Sequence, residues 1–165
     1  MNFDPTITIG ALLQTAGLLV AALGLIFNAL VTRRAARERR IQQLVDLQRQ
    51  FYSDESMVDA YYLIQYGRFT YDAAFHGSDL EKQIDRLLVH FENIASLFEA
   101  KAVSIAELDI IAHRYLVIYQ NPEVQRYFEW LDSLYKERGI EARLFDTFRK
   151  VGAIVEKRRN RFLPT

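Results

Sequence analysis

Residues 7–31 read ITIGALLQTAGLLVAALGLIFNALV, and no charged side chain occurs anywhere from Pro5 to Thr32, a run of 28 residues. The hydrocarbon core of a bilayer needs only about 20 apolar residues in a helix to cross it. Three readings compete for such a run. A cleavable signal peptide has a basic start and a short apolar stretch, but this start, Met1-Asn2-Phe3-Asp4, carries an acid and no Lys or Arg. No Ala-x-Ala-type site closes the run either. A buried core helix rarely continues so far without a charge. The sequence therefore predicts one membrane-spanning helix within residues 1–32, preceded by a short external tail.

The flanks orient it. Arg33, Arg34, Arg37, Arg39 and Arg40 follow the run, and no basic residue precedes it. Positive charge favours the cytoplasmic side, so the expected topology is N-terminus outside and C-terminal part cytoplasmic. The same five Arg can meet anionic lipid headgroups, worth about 1 kcal/mol each near the surface. The plainer reading is that they set topology and solvate the helix exit.

One face of the run differs from the rest. Gly10, Gln14, Gly17, Ala21, Gly24 and Asn28 recur at steps of four and three, which places them on one stripe of a helix. Apolar surface gains little from other apolar surface in lipid, so helices associate by close backbone approach and interhelical hydrogen bonds. Gly10, Gly17 and Gly24 are seven apart, a spacing that suits a left-handed crossing of near-parallel helices. Gln14 and Asn28 add amides that are costly against acyl chains unless partnered. The stripe predicts self-association. Packing on a different membrane protein, or a polar path lined by several copies, are the alternatives. Leu12, Leu19, Leu23, Ile26 and Leu30 occupy the opposite side, as lipid prefers.

The remainder has the size of one small domain, about 133 residues from Arg33 onward. The chain has no Cys, which removes disulfides and thiol-based metal or redox chemistry. Nine Tyr and eleven Phe argue against disorder. Net charge is zero but uneven: from Ile41 to Phe148 there are ten basic and eighteen acidic residues, and from Arg149 onward six basic and one acidic. An acidic middle has the wrong sign for a nucleic-acid face.

Nothing breaks helix between Arg33 and Gln50, so one helix is expected from about Ile7 to Tyr52, its residues 33–52 forming a basic stalk that couples membrane to domain. Residues 53–165 are expected to form a compact bundle of about five helices. Ser53-Asp54-Glu55 reads as turn and cap for a helix that Gly67 ends. Arg68 to Gly77 is a short helix or loop with Phe69, Tyr71 and Phe75 inward. Ser78-Asp79-Leu80-Glu81 is a capping-box pattern for a long helix to about Ala100. Ser104-Ile105-Ala106-Glu107 is a second, opening a helix to about Tyr119. Asn121-Pro122 opens another to about Arg138, stopped by Gly139. A last helix is expected over Ala142 to Arg159. No segment alternates with period two, so the fold class is all-α.

The anchor with its Arg-rich flank, the run Leu87-Leu88-Val89-His90-Phe91-Glu92-Asn93-Ile94-Ala95-Ser96-Leu97 and the turn at Ser104–Glu107 together resemble a family of small bacterial single-pass membrane proteins. That family's all-α cytoplasmic domain has no known function. The resemblance implies a bacterial inner-membrane protein and brings no catalytic residues with it.

A direct search for chemistry yields little. Arg86 and His90 are too close for the Arg–four-to-six–His spacing of one class of helical ribonuclease. Asp109 and His113 do not make the Glu-x-x-His pattern of di-iron bundles. No phosphate-binding loop or nucleophile elbow occurs. Glu92 and Glu99 share a helix face, as many solvated pairs do. Tyr61, Tyr62, Tyr66, Phe69 and Tyr71 form an aromatic patch that reads either as core with hydroxyls at the rim or as a pocket. Lys157-Arg158-Arg159-Asn160-Arg161 reads as a frayed, solvated helix end or as a contact for membrane or an acidic partner. The expectation is a non-enzymatic, membrane-anchored, self-associating scaffold that takes a protein partner and no cofactor or metal. The alternative is an effector of a defence or toxin system that perturbs or permeabilises the membrane through oligomerised transmembrane helices.

Overall fold

The computed structural model describes residues 9–162, with the side chains of residues 14–159 other than 15, 37 and 40. The expected external tail and the first residues of the expected span therefore lie outside the described residues, as do the surroundings of Gly10 and the side chains of Arg37, Arg40, Asn160 and Arg161. Seven helices account for the described fold, and no strand occurs among these residues. The chain divides into two units, Met1–Arg40 and Ile41–Thr165. Helix α1, Ile9–Ser53, supplies the described part of the first unit and, from Ile41, the opening of the second. Its sequence from Arg33 to Gln50 has no Gly or Pro, and the helix is continuous there.

In the second unit, α2 (Glu55–Gln65) starts where Asp54 accepts from the N–H groups of Ser56 and Met57. It ends before Gly67, whose φ of +64° suits a residue without Cβ. Residues 68–77 form a turn-rich loop, with Phe69 and Phe75 buried. α3 (Asp79–Glu99) is the central helix and packs against α2 and α7 (Asp146–Phe162). Ile84, Leu87, Leu88, Phe91, Ile94 and Ala95 recur at helical spacing along its buried face. Each large apolar side chain buried there contributes about 1.5–3 kcal/mol.

α5 (Ala112–Tyr119) contacts α7, α2 and α6 (Pro122–Glu137). Tyr115 stacks on Phe148 of α7 with ring centroids 4.6 Å apart, and its hydroxyl donates to the Phe148 carbonyl at 2.9 Å. α6 opens as the Asn-Pro pair predicts: Asn121 Oδ1 accepts from the N–H groups of Glu123 and Val124. Asp132 Oδ2 of α6 accepts from Arg143 and Arg149, each at 2.7 Å, which ties the segment before α7 and its first turn to α6.

Two expectations are corrected. The helix opened by Ser104 closes almost at once. The capping box forms on both sides, yet α4 covers only Ile105–Leu108. The N–H groups of Ile110 and Ile111 bond three residues back, to Glu107 and Leu108, so a tight turn replaces regular helix there. α5 then starts afresh at Ala112. The last helix begins at Asp146, not Ala142. No residue near Ala142 offers a cap, whereas the N–H groups of Thr147 and Phe148 donate to Glu92 of α3. Its starting point is thus set by the packing of α3 on α7.

Candidate functional site

The apolar part of α1 is the one described helix long and apolar enough to cross a membrane, and its apolar window is unburied. Leu18, Leu19, Val20, Leu23, Ile26 and Leu30 are all exposed, and Leu25 and Phe27 reach 72 % and 70 %. A soluble monomer rarely presents so much contiguous apolar surface. Gln14, Gly17, Ala21, Gly24 and Asn28 are likewise exposed, and Gly10 lies in the same helix. A Cβ built on Gly17 or Gly24 meets no atom within 4 Å, so these glycines leave open space. Thr32 Oγ1 donates to the Asn28 carbonyl at 2.8 Å, which absorbs one polar group of the helix exit into its own backbone. Arg33, Arg34 and Arg39 are exposed beyond it.

The second unit holds a polar cluster that no local motif announces. His76, in the loop before α3, packs closely on Trp130 of α6, with ring centroids 3.8 Å apart and planes inclined by 32°. Its Nδ1 lies 3.1 Å from Glu81 Oε1, and its Nε2 lies 2.9 Å from the Tyr71 hydroxyl. Glu81 Oε2 accepts from Gly77 N–H at 2.6 Å. The carboxylate at the third position of α3 thus reaches into the loop, while Ser78 Oγ takes the Glu81 N–H. A hydroxyl–imidazole–carboxylate line resembles a nucleophile relay in outline. Burial, however, raises the Tyr71 pKa, more than Arg126 nearby lowers it, so the phenol stays protonated. With Trp130 over the imidazole, the line works as a clasp that fixes loop 68–78 between α3 and α6.

The aromatic patch splits. Tyr61 and Phe69 are core, and Tyr71 belongs to the clasp. Tyr62 and Tyr66 stack on each other at the surface, centroids 5.6 Å apart, beside a shallow groove with Asp59 and Gln83. Arg86 is held at the start of α2, its Nη1 donating to Asp54 Oδ2 and Ser56 Oγ at 3.2 Å each. His90 is buried beside Phe51 and Phe91. His113 is exposed on α5, and Arg158 of α7 donates to Asp109 at 2.9 Å. Glu92 and Glu99 differ: Glu92 caps α7, while Glu99 is exposed. Among the described residues no three His, Cys, Asp or Glu side chains gather as metal ligands would.

No protein-family model, curated protein or solved structure matches this chain.

Proposed function

We propose that this protein is a membrane-anchored helical module that self-associates through the stripe Gly10, Gln14, Gly17, Ala21, Gly24 and Asn28. It presents its second unit to a protein partner at the cytoplasmic face of a bacterial inner membrane. The observation that supports this reading is the uncovered apolar length of α1, with open space above Gly17 and Gly24. Lipid covers the leucine side at no cost, and close approach of a second helix fits the glycine side. The Arg residues after the span favour the cytoplasmic placement. The role is one of binding and assembly rather than catalysis.

The test is extraction and sizing of the full chain. In alkaline carbonate it should stay with the membrane pellet, and in mild detergent it should run as an oligomer that Gly17→Leu reduces to monomer. A carbonate-soluble chain would refute the anchor. A detergent monomer, unchanged by Gly17→Leu, would refute the assembly.

The exposed amides of Gln14 and Asn28 favour a second reading, an effector whose assembled helices line a polar path. Overexpression would then depolarise cells, and Gln14→Leu with Asn28→Leu would abolish the effect.

A further inference from the structure

Only 5 % of the His90 surface is exposed, and among the described residues neither ring nitrogen meets a hydrogen-bond partner. Its neighbours are rings, those of Phe51 and Phe91. Most of the imidazole is withdrawn from water, which leaves its nitrogens little room for solvent partners. The ring nitrogens are not sealed either, because neither is a fully buried atom without a partner. His90 lines a concavity of about 300 Å³, large enough for a small metabolite.

The chemistry of the walls is lopsided. Asp54 is spent: Oδ1 accepts from Ser56 and Met57, and Oδ2 from Arg86. Arg86, one turn before His90 on α3, uses only Nη1 for those contacts and keeps Nε and Nη2. Gln50 and Asn93 bring two exposed amides to the same concavity. A neutral imidazole adds one N–H. Burial lowers the His90 pKa against the opposing charge of Asp54, which keeps the ring neutral near pH 7. What remains unused is therefore mostly donors, one of them cationic. Met57 and Val89 supply an apolar wall.

We propose that this concavity binds a small aliphatic carboxylate. Its oxygens accept from Arg86, from the His90 ring N–H and from the amides of Gln50 and Asn93. Its alkyl end lies against Met57 and Val89. Charge-assisted bonds to a guanidinium are the strong part of such recognition. The proposal involves only the second unit and rests on neither the anchor nor its self-association.

Propionate is the probe. The full chain in detergent, with ¹⁵N-labelled histidine, is titrated at constant ionic strength, and His90→Phe assigns the resonance. Propionate should shift the His90 signal saturably in the millimolar range and leave His113 unmoved. Arg86→Gln should weaken binding about tenfold, the value of one charge-assisted bond. Because Arg86 also supports the start of α2, Asn93→Ala at an exposed position is the second variant and should weaken binding without altering the spectrum elsewhere. A His90 signal that does not move would overturn the proposal. So would an equal response to propionamide, which marks mere displacement of water, or to inorganic phosphate in place of propionate.

Discussion

Glu92 accepts a hydrogen bond from the backbone N–H of Phe148 at 2.6 Å, across 56 positions of sequence. Its other oxygen takes the Thr147 N–H at 3.3 Å, so a carboxylate of α3 performs the capping of α7. The negative charge also sits where the helix dipole favours it. Glu92→Ala should cost about 1–2 kcal/mol of stability in urea unfolding of the full chain. Glu92→Gln, which keeps an acceptor but no charge, should cost less. No loss for Glu92→Gln would contradict the dipole part of the argument, and a loss equal to that of Glu92→Ala would contradict the hydrogen-bond part.

Gly152 lets α7 approach α5. A Cβ built there would stand 2.6 Å from Tyr119 Cγ, and the partly buried Tyr119 ring packs against the core, so the clash falls on the body of the ring. Gly→Ala in mid-helix ordinarily stabilises by up to about 1 kcal/mol. Here overpacking should reverse the sign and cost about 1–3 kcal/mol. Gly152→Ala with Tyr119→Leu should recover most of the loss in thermal unfolding, and a stabilised single variant would contradict the packing.

Acid should weaken the second unit in two separable steps. His90 is held below its ordinary value of 6.5 chiefly by burial. The unfolded chain then takes up a proton that the folded chain refuses, so this stability is complete above pH 6.5 and falls as pH drops below it. Hydrogen bonding by Ser56 lowers Asp54, against burial and with help from Met57 and Arg86. Burial of Asp132 is outweighed by its bonds to Arg149 and Arg143, so it is lowered too. Their stability is present above the ordinary value of 3.8 and is lost as pH falls through their folded values. Melting temperatures across pH should show both steps. His90→Phe should remove the upper one and leave the lower, and an unchanged upper step would contradict the assignment.

What could be read in the sequence follows the range of the interactions involved. The starts of α2, α3 and α6 were legible because Asp54, Ser78 and Asn121 cap within three residues. Ser104 and Glu107 also form their box, but a box fixes only where a helix begins. The turn through Ile110-Ile111 that ends α4 carries no Gly or Pro to mark it. The start of α7 was illegible because its cap comes from another helix. The clasp of Tyr71, His76, Glu81 and Trp130 joins a loop to two helices at no fixed spacing. His90 is one turn from Arg86, a spacing that signals no known chemistry, and only burial distinguishes it. In α1 the uncharged run was plain, since apolar length is a local property.

The absence of native Cys allows single cysteines to map the contact face of α1 in native membranes. Copies of the full chain carrying Gly17→Cys, Ala21→Cys, Gly24→Cys or Asn28→Cys are oxidised beside copies carrying Leu19→Cys, Leu23→Cys, Ile26→Cys or Leu30→Cys. Self-association through the stripe predicts disulfide-linked dimers from the first set, rising and falling with helical period, and few from the second. Equal yields around the helix, or the leucine side crosslinking more strongly, would contradict it.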